Sequence, residues 1–279
     1  MSSPVVIVIN FNSGPHLEQC LDSIRASAPR SQVIVVDNAS TDASERAAGS
    51  TPQVRLVENP VNVGFARAVN QALALSDEPH VLLLNPDCVL EAGALEGLVG
   101  ELEAHAECGI AGPRILDVDG GIQGSVRGDP NLLTGLFGRS SLLTRLFPSS
   151  GLARRNVRPV SDESLEVDWV SGACMLCRRA ALNEVQGFDE RYFLYWEDAD
   201  LCRRLRAKGF TVRHVPVSRV QHAVGQSSRS ARRLAIQAFH RSAYVYYSTH
   251  VARTPIGRSL AWLMLQVRCR LKLMTVGSR

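Results

Sequence analysis

Short apolar runs alternate with amphipathic stretches along the first 112 residues. VVIVIN (5–10), VIVVD (33–37), VRLVE (54–58), HVLLLN (80–85) and CGIAG (108–112) are brief and mostly apolar, which predicts buried strands. Between them, HLEQCLDSIRAS (16–27) carries Leu17, Cys20, Leu21 and Ile24 at helical spacing. TDASERAAG (41–49), GFARAVNQALAL (64–75) and EAGALEGLVGELEAH (91–105) predict further helices. Strand and helix alternating at this spacing predict βαβ units, hence an α/β fold with a mostly parallel sheet covered by helices on both faces. From 113 to 166 the pattern dissolves among Gly, Ser, Pro and Arg. There GLFGRSSLLTRLFPSSGLARR predicts a mobile segment with one short amphipathic helix. Order returns with the strand-like VDWVSGACMLCRR, the helix AALNEVQ, the aromatic run YFLYW, the helix EDADLCRRLRAKG and the strand FTVRHVP. From about 229 the pattern is helical, rich in Ala, Leu and Arg.

Composition narrows the class. With 279 residues, 45% hydrophobic and 21% charged, the chain is that of a globular protein with a sizeable core, not a disordered one. Apolar runs such as LAWLML reach about a third of the length a membrane span needs. The opening MSSPVVIVINF has no basic region before its apolar run, so no secretory signal is read and a cytoplasmic setting is expected. Seven scattered cysteines then predict buried thiols rather than disulfides. Cys174 and Cys177 fall on a strand, where positions three apart point to opposite faces, so this CxxC suits neither metal nor redox work.

Charge changes the picture more. Every acid precedes residue 201; the segment 201–279 holds 16 Lys+Arg and the first 200 residues are net −12. An acidic body with a basic tail points to a polyanionic partner: phosphate, anionic lipid or nucleic acid.

Three predicted strands end in polar groups: Asn10 to Asn12, Asp37-Asn38 and Asn85-Pro86-Asp87. In an α/β sheet ligands bind at such ends, and although Asn and Asp also cap and turn chains, three convergent ends favour a site. A dinucleotide fold is rejected by NFNSGPHLEQ, which offers one Gly where G-x-G-x-x-G is required, and no phosphate-binding G-K-[ST] loop exists. A divalent metal on Asp87 would hold a diphosphate instead, with His222 a candidate second ligand. Tyr192, Phe193, Tyr195 and Trp196 crowd five positions before the pair Glu197-Asp198. Asp198, Leu201, Cys202 and Leu205 share one helix face, which turns Asp198 inward as a candidate general base. Asp200 falls on another face within reach of Arg203 and Arg204, the spacing of a surface ion pair. Glu197, in the first turn, is expected to be stabilised as an anion by the helix dipole.

At this point the sequence resembles the inverting glycosyltransferases of family 2, and most of all their bacterial rhamnosyltransferase branch. VVIVINFNSG, VIVVDNASTD, NPVNVGFARAVNQAL, VLLLNPDCVL, VSGACMLCRRAAL, GFDERYFLYWEDADLCRRLRAKG and QHAVGQSS carry the resemblance across most of 4–228. It implies a GT-A fold over 1–228, with 1–112 as the nucleotide-binding half, 167–228 as the acceptor and catalytic half, and 229–279 as a basic helical tail. It implies that Phe11 and Asn12 flank the donor base, that Asp37 with Asn38 accepts from thymine or uracil, and that Asn62 and Gly64 line the donor cleft. Asn85 and Asp87 sit where relatives carry a metal-binding Asp-x-Asp, with Asn replacing the first Asp; His222 takes the late ligand position. Asp198 takes the place of the base, with Gly172, Trp196 and Glu197 beside the acceptor. The implied activity is single transfer of a sugar, L-rhamnose from dTDP-L-rhamnose, to a lipid-linked or cell-envelope glycan. A Mg²⁺ or Mn²⁺ ion is the implied cofactor. The work is expected on the inner face of the cell membrane, with the tail on anionic lipid and no nucleic acid partner. The alternatives are a UDP- or GDP-linked donor, or a basic nucleic-acid-binding protein on an α/β scaffold. Acids beside the aromatic run oppose the last, because they repel phosphate.

Overall fold

A computed structural model describes residues 3–51, 53–124, 126–129, 162–223 and 231–276. The amphipathic helix expected within 135–155 lies outside them, as does the segment 224–230. Strands β1 (Val5–Asn10), β2 (Val33–Asp37), β3 (Val54–Glu58) and β4 (His80–Leu84) form the expected parallel unit in the order β3-β2-β1-β4. Their Val, Ile and Leu side chains are buried on both faces in β1, β2 and β4, as a sheet covered by two helical layers requires. Helices α1 (His16–Ser27), α2 (Arg46–Gly49), α3 (Phe65–Leu73) and α4 (Ala94–Ala104) connect these strands and their successors. The helix predicted over 41–49 shrinks to its last turn. Residues 40–44 are instead drawn into bonds with Asn10, Asn12 and Asp37, which compete with the helical ladder.

Beyond β4 the sheet becomes mixed. β10 (Cys174–Arg178) inserts antiparallel between β4 and β6 (Cys108–Leu116). β11 (Thr211–His222) runs parallel to β6 and pairs antiparallel with β5 (Cys88–Leu90) and β8 (Leu165–Glu166). A separate two-stranded ribbon joins β7 (Val126–Arg127) to β9 (Trp169–Val170). The fifth strand therefore runs on past 112 to Leu116, and the start of the segment expected to be mobile is ordered: Gln123 N–H bonds back to the Ile115 carbonyl at 2.9 Å. Cys174 and Cys177 lie in the core clusters on opposite faces of the sheet, and burial pushes both thiols above their ordinary pKa.

Helices α5 (Arg179–Glu184) and α6 (Glu197–Ala207) follow β10. The C-terminal part is helical as expected: α7 (Arg232–Tyr246), a π-turn (Tyr247–Val251) and α8 (Pro255–Val276). α8 packs on α7 through buried Ala261 and Cys269. No described helix is long and apolar enough to cross a membrane.

Candidate active site

The ends of β1, β2 and β4 form one polar rim. Asn10, fully buried, is its hub: Nδ2 donates to Asp37 at 2.7 Å, Ser44 at 2.9 Å and Ser40 at 3.2 Å, and Oδ1 accepts from Ser13. Asp37 is 4% exposed and also accepts from the Ser40 N–H and hydroxyl at 2.9 and 2.6 Å. Asn12, at a positive φ of 49°, accepts from Thr41 N–H at 2.7 Å, and Phe11 beside it is half-buried. Asn38 reaches the Gly64 carbonyl at 3.2 Å, and Asn62 accepts from Gly64 N–H at 2.9 Å. The expected donor residues on β1, β2 and the α3 entry are thus bonded into one loop system. Ser13, Ser40 and Ser44 belong to it as well. Their only sequence signal is membership of Ser/Thr/Asn/Asp-rich turns after strands, a pattern shared by many loops.

The metal-side residues meet through sheet register. β11 places His222 opposite Cys88, and the Ala223 N–H bonds to the Asp87 carbonyl at 2.9 Å. His222 Nε2 then lies 3.3 Å from Asp87 Oδ1, with the Cys88 thiol within 4.8 Å of both. Gln123, absent from the sequence-based reading, orients the ring. Its Nε2 donates to Asp117 at 2.7 Å and to the His222 carbonyl at 2.9 Å, which turns its Oε1 toward His222 Nδ1 at 3.0 Å. That oxygen can only accept, so Nδ1 carries a proton and Nε2 is the ring nitrogen turned to Asp87. With Nε2 deprotonated, the carboxylate oxygen of Asp87 and the imidazole nitrogen form a donor pair that fits a divalent cation such as Mg²⁺ or Mn²⁺. Asn85 is held through its backbone, its N–H donating to the Ala173 carbonyl at 2.8 Å.

That same strand entry holds the candidate base. Gly172, next to Ala173, donates its N–H to Asp198 Oδ2 at 2.9 Å. Asp198 is half-buried at the end of the stripe formed by fully buried Leu201, Cys202 and Leu205. Two adjacent residues before β10 thus tether the Asn85–Asp87 loop on one side and Asp198 on the other. The close approach explains Gly172: a Cβ there would lie 3.3 Å from the Asp198 Cβ.

Two expectations on α6 are corrected. Asp200 does pair with Arg204, but it is 1% exposed rather than on the surface, because α6 is covered by the sheet on one side and by the C-terminal helices on the other. Glu197 is not stabilised as an anion: burial, then Asp198 and Asp200, hold its pKa well above the usual carboxylate range, and Oε2 has no hydrogen-bond partner among the described residues. The burial penalty outweighs the dipole, whose effect reaches only about 2 kcal/mol even in favourable geometries. The aromatic run packs against the C-terminal helices. The Trp196 ring sits 5.7, 5.2 and 5.8 Å from those of Phe239, Tyr246 and Tyr247.

Comparison with known proteins follows the geometry. The profile of "Glycosyl transferase family 2" matches residues 5–185. The chain is 34% identical over 256 residues to the N-acetylglucosaminyl-diphospho-decaprenol L-rhamnosyltransferase of Mycobacterium tuberculosis, covering 86% of this chain and 82% of that one. It is 25% identical to rhamnosyltransferase WbbL of Escherichia coli, over 81% and 85% of the two chains. Among solved structures it resembles the mannosyltransferase of Pyrobaculum calidifontis in complex with GDP-Man and Mn²⁺, with a TM-score of 0.58 at 19% identity over 99% and 79% of the chains. It also resembles GalNAc-T7 with UDP, GalNAc and Mn²⁺, with a TM-score of 0.62 at 17% identity over 88% of this chain and 50% of that one. These are glycosyltransferases of the GT-A fold.

Proposed function

Because the chain belongs to glycosyl transferase family 2 and is a glycosyltransferase of GT-A fold, we propose that it moves L-rhamnose from dTDP-L-rhamnose to a lipid-linked glycan precursor with inversion at the anomeric carbon. The acceptor class we favour is an N-acetylglucosaminyl diphosphate on a polyprenol, the chemistry in the name of the 34% identical relative. The observation that carries the reading is the pair of tethers before β10. They bring Asp198 and the Asp87–His222 pair to either side of one strand entry, which supports a base role for the first and a metal-holding role for the second.

The roles follow from chemistry. Asp198 takes the proton of the acceptor hydroxyl as it attacks, and the Gly172 N–H keeps the carboxylate aimed. Attack opposite the leaving diphosphate inverts the configuration. Asp87 and His222 would hold a divalent ion that supplies charge stabilisation for the leaving diphosphate. Gln123 keeps His222 in the ligating tautomer. Asn12, Asp37, Asn38, Asn62 and Gly64 form the donor side. The basic tail keeps the enzyme against the anionic cytoplasmic leaflet, where a lipid-linked acceptor is presented.

The test is a thermal-shift panel of dTDP-rhamnose, UDP- and GDP-sugars with and without Mg²⁺ or Mn²⁺, followed by a transfer assay on a polyprenyl diphosphate acceptor. A donor at a hundred times its Kd adds about 2.7 kcal/mol of stability. We expect the dTDP-linked donor to give the largest shift and only with metal. Asp87→Ala should abolish the metal-dependent part, and His222→Ala and Gln123→Ala should reduce it. An equal shift in excess chelator would refute the metal role, and a larger shift with UDP- or GDP-sugars would refute the donor assignment.

A further inference from the structure

Asp200 has no part in the chemistry above, yet it is the most deeply buried acid of the described chain. Its Oδ2 accepts from Arg204 Nε at 2.6 Å. Its Oδ1 faces His250 Nε2 at 2.6 Å and accepts from the Tyr192 hydroxyl at 3.2 Å. His250 belongs to the π-turn after α7, at the far end of the chain. Arg203 closes the same joint from the other side, donating to the His250 carbonyl at 3.2 Å and the Tyr246 hydroxyl at 3.3 Å.

This joint is one of several between the C-terminal helices and residues 194–200. Ser242 on α7 donates to the Leu194 carbonyl at 2.9 Å, and Phe239, Tyr246 and Tyr247 surround the Trp196 ring. The pinned segment includes two consecutive non-glycine residues at positive φ, Tyr195 at 68° and Trp196 at 72°, immediately before α6 begins. Each such residue is strained, and it persists only where surrounding contacts over-determine it. A π-turn is itself an irregularity that recurs at functional sites, because it re-aims side chains out of the helical repeat. Here it aims His250 at Asp200.

We propose that His250 is a positioning residue for the transfer reaction: through Asp200 it locks the first turn of α6, and so fixes Asp198 against the Gly172 N–H. The C-terminal helices then complete the acceptor side of the site. This inference rests on Asp198 being the base.

The test compares full-length wild type with His250→Leu, His250→Gln and Tyr192→Phe by two measurements. Steady-state kinetics give kcat and donor KM separately, and hydrogen exchange by mass spectrometry, without donor, reads the α6 amides and those of β1–β4. His250→Leu should lower kcat about tenfold or more with donor KM nearly unchanged. It should speed exchange in the first turn of α6 about tenfold while β1–β4 stay protected. His250→Gln retains a donor toward Asp200 and should recover most of both effects. If His250→Leu does not accumulate folded, Tyr192→Phe must show the same pattern at smaller amplitude. Unchanged α6 exchange, a uniform loss of protection across β1–β4 and α6, or a Gln variant no better than Leu would overturn the proposal. Altered α6 exchange with kcat unchanged in His250→Leu would overturn its catalytic half. If wild type transfers no sugar while α6 loosens as described, the transferase reading fails and the positioning of α6 stands.

Discussion

Glu197 and Asp198 are adjacent carboxyls given opposite surroundings. Asp198 keeps partial access to water and a backbone donor from Gly172, the setting of a group that takes up and releases a proton. Asp198→Asn keeps the shape and removes the basicity. It should lower kcat about a hundredfold or more, with donor binding intact by nucleotide titration. Glu197 has its pKa pushed well up by burial and by its two acidic neighbours. The folded state therefore holds a proton that the unfolded chain gives up above about pH 4.5, so this group costs stability as pH rises past that point. Glu197→Gln, a mimic of the neutral acid, should raise Tm at pH 7–8, with the gain shrinking toward pH 4, and should reduce kcat far less than Asp198→Asn. Thermal melts across pH, run beside the kinetic assay, decide this. Identical pH dependence in the variant and wild type would show that Glu197 is ionised in the fold.

At the scale of elements, Gly64 shows how tightly the donor loop and the aromatic run are joined. It begins α3 at φ 88°, and a Cβ there would lie 2.7 Å from the Phe193 carbonyl oxygen and 2.8 Å from its ring. The next N–H, of Phe65, donates to that same carbonyl at 2.7 Å. Gly64→Ala should cost about 1–3 kcal/mol by denaturant titration, through backbone strain and a displaced Phe193. Gly100→Ala is a control, since its Cβ would meet nothing within 4 Å and should stabilise α4 slightly. The elements that were legible in the sequence were those with a single apolar period: β1 to β4, α1, α3, α4 and the buried stripe of α6. β5 and the full length of β11 were not. Their residues alternate only in part and owe their pairing to each other across the fold, and β11 is broken by shifts in register near Val215. α2 was overestimated because Ser40 and Ser44 spend their hydroxyls on Asn10 and Asp37.

At the scale of the molecule, the C-terminal helices have two sides. α8 turns Ala261 and Cys269 toward the body and leaves Ile256, Leu260, Leu263, Met264, Val267, Leu271 and Met274 exposed. At 3.6 residues per turn these seven fill an arc of about 100°, a continuous apolar stripe on a tail without a single acid. Packing on the body and contact with a bilayer are thus compatible in the structure, and charge complementarity favours anionic lipid. We expect the intact protein to sediment with anionic vesicles at low salt and to be released at high salt. Leu263→Glu with Val267→Glu, or truncation after residue 255, should abolish most of that, while donor binding and the His250 joint survive. Equal partition to neutral vesicles would reject the membrane role. The candidate site was legible where a single side chain carries the proposed role, as at Asp87, Asp198 and His222. It was illegible where the work falls to backbone N–H groups, to Gln123 or to His250, whose neighbours are set by register and tertiary packing rather than by spacing. One feature of the sheet bears on how the chain is made. β10 wedges between β4 and β6, so until residue 178 leaves the ribosome both strands present bare hydrogen-bonding edges, and neither tether before β10 exists. A nascent chain halted near residue 112 is thus a sticky half-sheet rather than a nucleotide-binding module. It should depend on chaperones during synthesis and scatter light when expressed alone, and its carboxylates should be brought into register only once the downstream strand arrives.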